Sequence, residues 1–238
     1  MKGIILAGGA GTRLHPLTKT TSKQLLPIYN KPMIYYPLET LIKSGIKDIL
    51  IIVAPDNADD FLRLLDNGKD FEVNFTYKIQ DKPNGIAEAF LIGKDFIGTD
   101  NVALILGDNI FEDDFSENIK NFTSGARIFV KEVHDPERFG VVEFDKNNKV
   151  LSIEEKPENP KTNYIQTGLY ICDNSVIEKV KNSKPSKRGE LEITDIMNKY
   201  ARNGELIASF VKGVWFDTGT FESLFKASEY ARKKFLDL

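Results

Sequence analysis

The sequence predicts an α/β fold in which a largely parallel sheet is covered by helices on both faces. Two patterns predict it. Apolar runs of strand length alternate with stretches of helical spacing over roughly the first 110 residues, and after Gly107 closely spaced strands replace that rhythm. The chain has 238 residues, 41% hydrophobic and 28% charged, which suits one α/β unit and excludes wholesale disorder, collagen-like repeats and coiled-coil arrays. Its longest apolar run, Ile49 to Ala54, is far short of the ~20 residues that span a bilayer, so no membrane helix is expected.

Lys2 to Leu6 reads as a buried strand that enters a tight turn at Gly8, Gly9 and Gly11. The opening Met1-Lys2 and Ile4 to Ala7 faintly imitate a signal peptide, but the apolar stretch is too short and glycines interrupt it; it is read as part of the fold. Ile34, Leu38, Leu41 and Ile42 recur at helical spacing within Met33 to Lys43, and Gly45 stops that helix. Strand Ile49 to Val53, helix Asp59 to Leu65, strand Asn74 to Ile79, helix Ile86 to Phe96 and strand Val102 to Leu106 continue the alternation. Beyond Gly107, Arg127 to Val133, Val141 to Phe144 and Val150 to Glu154 read as strands, the last two joined by a turn over Asp145 to Lys149. A strand at Tyr164 to Ile171, helices near Ser175 to Lys181 and Leu191 to Arg202, and a strand at Ile207 to Val211 follow. A last amphipathic helix, Phe221 to Phe235, turns Leu224, Ala227, Tyr230 and Ala231 inward. With no repeat or low-complexity linker, residues 1–238 are expected to form one unit, with a nucleotide-binding half to about residue 110 and a mixed half from about residue 111.

Several function classes drop out on composition. One cysteine, Cys172, excludes an internal disulfide and a multi-cysteine zinc site and suits a cytoplasmic protein. Only His15 and His134 offer an imidazole, and no G-x-S-x-G elbow is present. A net charge of −3 argues against a general nucleic-acid binder. The first 38 residues hold Lys2, Arg13, Lys19, Lys23 and Lys31 and no carboxylate, leaving 27 basic and 35 acidic residues, a net of −8, for the remainder. That segment is either a solvated basic stretch or an anion site.

Gly8-Gly9-Ala10-Gly11-Thr12-Arg13 follows the first strand, where glycines let backbone N–H groups approach phosphates. Leu14 stands where a dinucleotide fingerprint needs glycine, and no Walker sequence is present; neither an oxidoreductase of that type nor a P-loop NTPase is supported. Arg13 and Lys23 bring a forked guanidinium and an ammonium suited to a polyphosphate. Asp108 ends an all-apolar strand at the carboxyl edge of the sheet, as a turn cap or as a hard oxygen ligand for Mg²⁺. Asp217 is the second such carboxylate, with turn residue or N-cap of the final helix as the alternative. Glu154-Glu155-Lys156-Pro157 is either a solvated strand end or a sugar hydroxyl acceptor beside a phosphate-binding lysine.

Seven segments in register, Gly8 to Leu14, Ser22 to Pro27, Lys31 to Pro37, Leu106 to Phe111, Glu154 to Pro157, Gly189 to Asp195 and Asp217 to Thr220, together resemble the glucose-1-phosphate thymidylyltransferases, a family of sugar nucleotidyltransferases. The resemblance implies a Rossmann-like three-layer α/β/α nucleotidyltransferase fold with a mixed, largely parallel sheet. It also implies a Mg²⁺-dependent transfer from dTTP to glucose 1-phosphate that gives dTDP-glucose, a deoxysugar (rhamnose) precursor, and pyrophosphate. By the same resemblance, Gly8, Gly11, Thr12 and Arg13 would hold the triphosphate, Lys23 would lie at the α-phosphate, Gln80 and Gly85 would read the pyrimidine, and Gln24 would lie near the deoxyribose. Asp108 and Asp217 would hold Mg²⁺, with Asn109 close by. Gly140, Glu155 and the backbone of Gln166 would bind glucose hydroxyls, Lys156 and Arg188 its phosphate, and Trp215 would wall the pocket. Arg13, Lys23 and Lys156 carry the catalytic charge in this reading. A sugar 1-phosphate, with a second pKa of about 6, is already an anionic nucleophile, so the scarcity of histidine is no obstacle.

The chain departs from the family pattern at Asn84, where Asp is usual, and at Gln166, where Val is usual; Glu112-Asp113-Asp114 replaces a glycine-containing loop and is expected to make the rim over the site more acidic. The sequence ends at Leu238, short of the family's C-terminal region of subunit contacts and allosteric nucleotide binding, so weakened or absent feedback control is expected. A homo-oligomer is among the assemblies the resemblance admits, with no nucleic-acid or membrane partner. The rivals are a UTP-dependent uridylyltransferase, since uracil presents the same edge as thymine, and a catalytically silent sugar-nucleotide-binding subunit.

Overall fold

A computed structural model of the chain describes residues 1–147 and 149–236. In chain order the elements are β1 (Lys2–Ala7), β2 (Pro27–Ile28), β3 (Lys31–Pro32), α1 (Tyr35–Lys43), β4 (Asp48–Val53), α2 (Ala58–Leu65), β5 (Asn74–Ile79), α3 (Glu88–Ile92), α4 (Lys94–Ile97), β6 (Val102–Leu106), β7 (Asn109–Phe111) and α5 (Ser116–Lys120). They continue with β8 (Ala126–Glu132), β9 (Gly140–Phe144), β10 (Val150–Glu155), β11 (Tyr164–Cys172), α6 (Val176–Lys181), α7 (Ile193–Arg202), β12 (Leu206–Phe210), β13 (Trp215–Asp217) and α8 (Phe221–Leu236).

Among the described residues the main sheet has nine strands in the order β10-β9-β11-β6-β1-β4-β5, with β8 paired to β11 and β12 to β8. The pairs β1–β4, β1–β6 and β4–β5 are parallel, as the strand–helix alternation predicts, and β11 runs antiparallel to β6, β8 and β9. The strand that faintly imitates a signal peptide is thus central to the sheet. Strand alternation splits the core into two layers: Ile4, Leu50, Ile52 and Leu104 pack with Phe90 of α3, Val180 of α6 and Ile196 of α7. From the other face, Ile5, Ile49, Ile51 and Ile105 meet Leu38 and Leu41 of α1 and Phe61 and Leu65 of α2. Each of these buried aliphatic side chains contributes about 1.5–3 kcal/mol relative to exposure.

Two expected helices are shorter than their periodicity suggests. Met33 and Ile34 precede α1, with Ile34 as its N-cap, and their N–H groups donate to the carbonyls of Leu26 and Gln24. The segment Ile86 to Phe96 divides at Gly93, which closes α3 by donating to Ala89 and accepts from Ile97 of α4. The turn between β9 and β10 is held by Asp145, whose carboxylate accepts from the N–H groups of Asn147 and Lys149 at 2.8 and 2.9 Å; Asn148 lies outside the described residues. Inward-facing Ala227 and Ala231 of α8, with Leu224, cover Ile28, Met33 and Ile110, and Tyr230 rests on Phe216. The N-cap of α8 is Thr220, whose Oγ1 accepts from the Ser223 N–H at 3.2 Å, so the capping alternative for Asp217 does not hold. No described helix is long and apolar enough to cross a membrane.

Candidate active site

The carboxyl ends of the parallel strands open onto two cavities. The first, about 500 Å³, is lined by Gly8, Gly9, Lys19, Ser22 and Gln80. A second, about 410 Å³, gathers Arg13, Asp108, Asn109, Gly140, Glu155, Lys156, Gln166, Trp215 and Asp217. The floor of the second is apolar, from Ile86, Leu106, Tyr170 and Ile193.

The glycine loop turns at Gly11, whose φ of +63° suits glycine, and the Thr18 hydroxyl donates to the Gly11 carbonyl at 2.7 Å. The loop then enters a short 3-10 turn over Thr12–Leu14, with Leu14 buried and Thr12 and Arg13 exposed. After a second such turn at Leu17–Lys19, a third, Lys23–Leu25, sends Lys23 back under the loop, and its ammonium pairs with the Asp108 carboxylate. Gln24 is buried beside Gly107, its Oε1 accepting from the Ser22 hydroxyl at 2.6 Å. Gln80 follows β5 with its carboxamide against Gly8, donating to Glu88 Oε2 at 2.8 Å and, at 3.5 Å, to the carbonyl of Gly85.

Asp217 reaches the site through a small antiparallel ladder that pairs β13 with β7, Asp217 opposite Asn109. Thr218, fully buried, locks the ladder with N–H and hydroxyl bonds to the Asp108 carbonyl at 3.0 and 2.7 Å. Burial pushes the Asp108 carboxyl up, but the Lys23 ammonium and the Asn109 amide outweigh it and hold Asp108 below the usual carboxylate range. Among the described residues Asp217 has no such partner; burial, then the neighbouring Asp108 carboxylate, raises it, against weaker opposition from Lys23, Arg13 and Arg138. Asn109 Oδ1 accepts from Gly168 N–H at 3.0 Å and Trp215 Nε1 at 2.7 Å, which fixes the indole at the cavity wall, edge-on to Phe139.

Opposite, β10 delivers Glu155 and Lys156. The Lys156 backbone, at φ +45°, donates to the Phe139 carbonyl at 2.9 Å, and its ammonium lies 3.8 Å from Glu155. Arg188 reaches Glu155 at 3.5 Å but also Glu190 and Glu192, at 3.0 and 3.4 Å, so it is held by three carboxylates and does not line the cavity. Arg138 does line it, although the sequence does not single it out; its only signal is its place two residues before Gly140. The expected acidic rim is corrected by the structure. Asp113 accepts from the N–H groups of Lys212 and Gly213, Glu112 from Val214 and pairs with Lys234, and Asp114 accepts from the Ser116 N–H, so all three turn away from the 410 Å³ cavity. No group of three or more His, Cys, Asp or Glu side chains is placed to hold a metal among the described residues.

An α/β sheet that collects cations and two carboxylates at its carboxyl edge, where two cavities open, is the architecture of a protein that joins phosphorylated ligands. The chain belongs to the nucleotidyl transferase family, whose profile matches residues 2–234. Its curated relatives include glucose-1-phosphate thymidylyltransferases from Neisseria meningitidis and Mycolicibacterium smegmatis, each 52% identical over 98% of this chain and over 83% and 82% of their own lengths. A crystal structure from Bacillus anthracis that carries the same enzyme name and holds a sucrose superposes with a TM-score of 0.93 at 47% identity, covering 98% of this chain and 95% of that one. A UDP-glucose pyrophosphorylase bound to UDP-glucose superposes at 0.87 with 26% identity, covering 98% of each chain.

Proposed function

We propose that the chain transfers a thymidylyl group from dTTP to glucose 1-phosphate, working as one unit with residues 1–110 on the nucleotide and residues 111–238 on the sugar. The observation that carries this reading is the Lys23–Asp108 pair: the carboxylate lines the 410 Å³ cavity with Arg13 and Asp217, and the lysine packs against the glycine loop that lines the other cavity. A sugar phosphate oxygen attacks the α-phosphorus of dTTP; a P–O bond forms, the bond to the β-phosphate breaks, and pyrophosphate leaves with the electron pair. No base is needed, because the nucleophile is anionic at neutral pH. The chain's task is to bring two polyanions into line. Gly8, Gly11, Thr12 and Arg13 hold the triphosphate, Gln80 and Gly85 face the base, and Gln24 supports the deoxyribose. Lys156 holds the sugar phosphate, Gly140, Glu155 and the Gln166 backbone take its hydroxyls, and Trp215 and Asn109 close the wall. Lys23, Arg13 and Lys156 stabilise charge that develops on the α-phosphorus.

Asp108 and Asp217 would hold Mg²⁺. The donor set fits: a buried and a half-buried carboxylate, the second raised by desolvation and by the first one's charge, are hard oxygen ligands in need of a cation, and Mg²⁺ commonly takes one or two carboxylates and completes its shell from phosphates and water. When bound it would supply charge neutralisation at the phosphates. Cys172, buried and unpaired, suits a cytoplasmic setting, and a homo-oligomer would cover the exposed Phe221 and Phe225 of α8.

The test is pyrophosphate release across a matrix of nucleoside triphosphates and sugar 1-phosphates. The dTTP with glucose 1-phosphate cell should dominate; a UTP-dominated matrix replaces the thymidylyl reading, and a silent one leaves a binding subunit.

A further inference from the structure

β13 delivers Trp215 and Asp217 to the 410 Å³ cavity, yet it has three residues and one strand partner, β7. The Asp108 carboxylate also repels that of Asp217, so the strand needs an anchor at each end. After Asp217 the anchor is Thr218, bonded to the Asp108 carbonyl. Before Trp215 it is the turn over residues 211–214, whose backbone groups are taken up by side chains from two distant segments. The Lys131 ammonium, from β8, donates to the carbonyls of Val211, Lys212 and Gly213 at 3.3, 3.4 and 2.7 Å. Asp113 accepts from the N–H groups of Lys212 and Gly213 at 2.9 and 2.7 Å, and Glu112 from that of Val214 at 3.1 Å. The peptide groups of the turn thus offer their carbonyls to a cation and their N–H groups to two carboxylates, and such charge-assisted bonds are the stronger kind. Gly213 allows the approach, since a Cβ there would lie 2.6 Å from Asp113 Oδ2 and 3.0 Å from Glu112 Cβ. Neither Lys131 nor Asp113 lines the cavity.

We infer that Lys131 and Asp113 are positioning residues: through the turn over 211–214 they hold β13 in place, and with it the Trp215 indole and the Asp217 carboxylate. The inference rests on the proposed function where it makes Asp217 a holder of Mg²⁺; the seat of the indole does not depend on that reading.

Trp215 is the sole tryptophan, so its fluorescence in the ligand-free protein reports the position of β13 directly. In Lys131→Met, which keeps the aliphatic stem, indole emission should shift to the red and acrylamide should quench it more efficiently. The Mg²⁺ concentration that gives half-maximal pyrophosphate release should rise about 10-fold while KM for dTTP stays within about 2-fold. Lys131→Arg keeps a charged donor for the carbonyls and should restore both readouts. Asp113→Asn, which turns an amide nitrogen toward the N–H groups, should reproduce the defect, and the double variant should add less than about 2-fold to it, because both act on one turn. Gly213→Ala, whose methyl pushes the Asp113 carboxylate off the turn, replaces Lys131→Met should that variant not fold. A folded variant with a lowered melting temperature but unchanged emission overturns the inference, as does a fully additive double variant; a shifted emission with an unchanged Mg²⁺ requirement overturns it for Asp217. A wild-type enzyme that forms no pyrophosphate from dTTP and glucose 1-phosphate overturns the proposed function, and the fluorescence of the variants still decides whether the turn seats Trp215.

Discussion

Replacing Lys23 by Met removes a charge and little volume, and the structure assigns it two separable consequences. The first is catalytic. An ammonium that stabilises charge in the transition state is worth ~10²- to 10³-fold in kcat, with a much smaller effect on KM. The second concerns stability. The Lys23 and Asp108 side chains are only 14% and 9% exposed, and breaking a buried pair by removing one partner costs about 3–5 kcal/mol. At the lower end, and at about 2–4 °C per kcal/mol for a chain this size, the melting temperature at pH 7 should fall by about 6–12 °C. The pH dependence follows from Asp108. In the wild type its carboxyl is held below the unfolded value, so its stabilisation is present above the unfolded pKa and is lost as pH falls through the folded one. Without Lys23, burial and Asp217 raise Asp108 above the unfolded value, and the variant loses stability as pH rises through that window. The gap in melting temperature between the two proteins, measured in EDTA, should therefore widen from pH 4 to pH 7. Steady-state kinetics and melts over that range decide it. A variant with unchanged kcat and a raised KM refutes the transition-state role, and a gap that narrows toward pH 7 refutes the pairing argument.

EDTA should abolish turnover and Mg²⁺ restore it; turnover that persists in chelator removes Asp108 and Asp217 as the metal's holders. Asp217→Asn relieves the repulsion between the buried Asp108 and the half-buried Asp217 carboxylates, so its melting temperature in EDTA should hold or rise while kcat falls at least ~100-fold, and a clear drop in melting temperature counts against that repulsion. Gly219→Ala would set a Cβ 2.5 Å from Arg13 Nη2, and the displaced guanidinium should raise KM for dTTP about 10-fold in titrations against fixed sugar phosphate. Trp215→Phe loses the 2.7 Å bond to Asn109 and should raise KM for glucose 1-phosphate about 3- to 10-fold; a larger change in the dTTP constant would place the indole on the wrong substrate.

Elements that bury a full face were legible in the sequence. β6 is an all-apolar run closed by Gly107-Asp108, and its end marks the sheet edge without any structure. The ladder of β7 with β13 was not legible. Each strand has three residues, and the contact of Trp215 with Asn109 closes a separation of 106 residues, so local periodicity carries no trace of it. The residue pattern singles out Asp217 as the second carboxylate but leaves a turn or cap role open, the family resemblance makes it a metal holder, and Arg138 escaped both. Helix α5, five residues long, was missed for the same reason as β7.

The basic segment at the start of the chain shows what a charge count can and cannot establish. Five cations without a carboxylate in 38 residues left a solvated stretch and an anion site equally open. The fold divides the five. Lys2 runs to the Phe96 carbonyl and pairs with Asp100, and Lys31 pairs with Glu39 over the Tyr36 ring; both are neutralised by residues outside the segment. Arg13 lines one cavity and Lys19 the other, while Lys23 packs against the glycine loop; among the described residues only Lys23 of these three pairs with a carboxylate, Asp108. The segment's excess of positive charge therefore belongs to the glycine loop and the turns after it, which bend the chain back across the carboxyl edge of β1. The anion site is set less by how many cations the segment has than by which of them that bend leaves facing the cavities, and that is a property of the turn at Gly11.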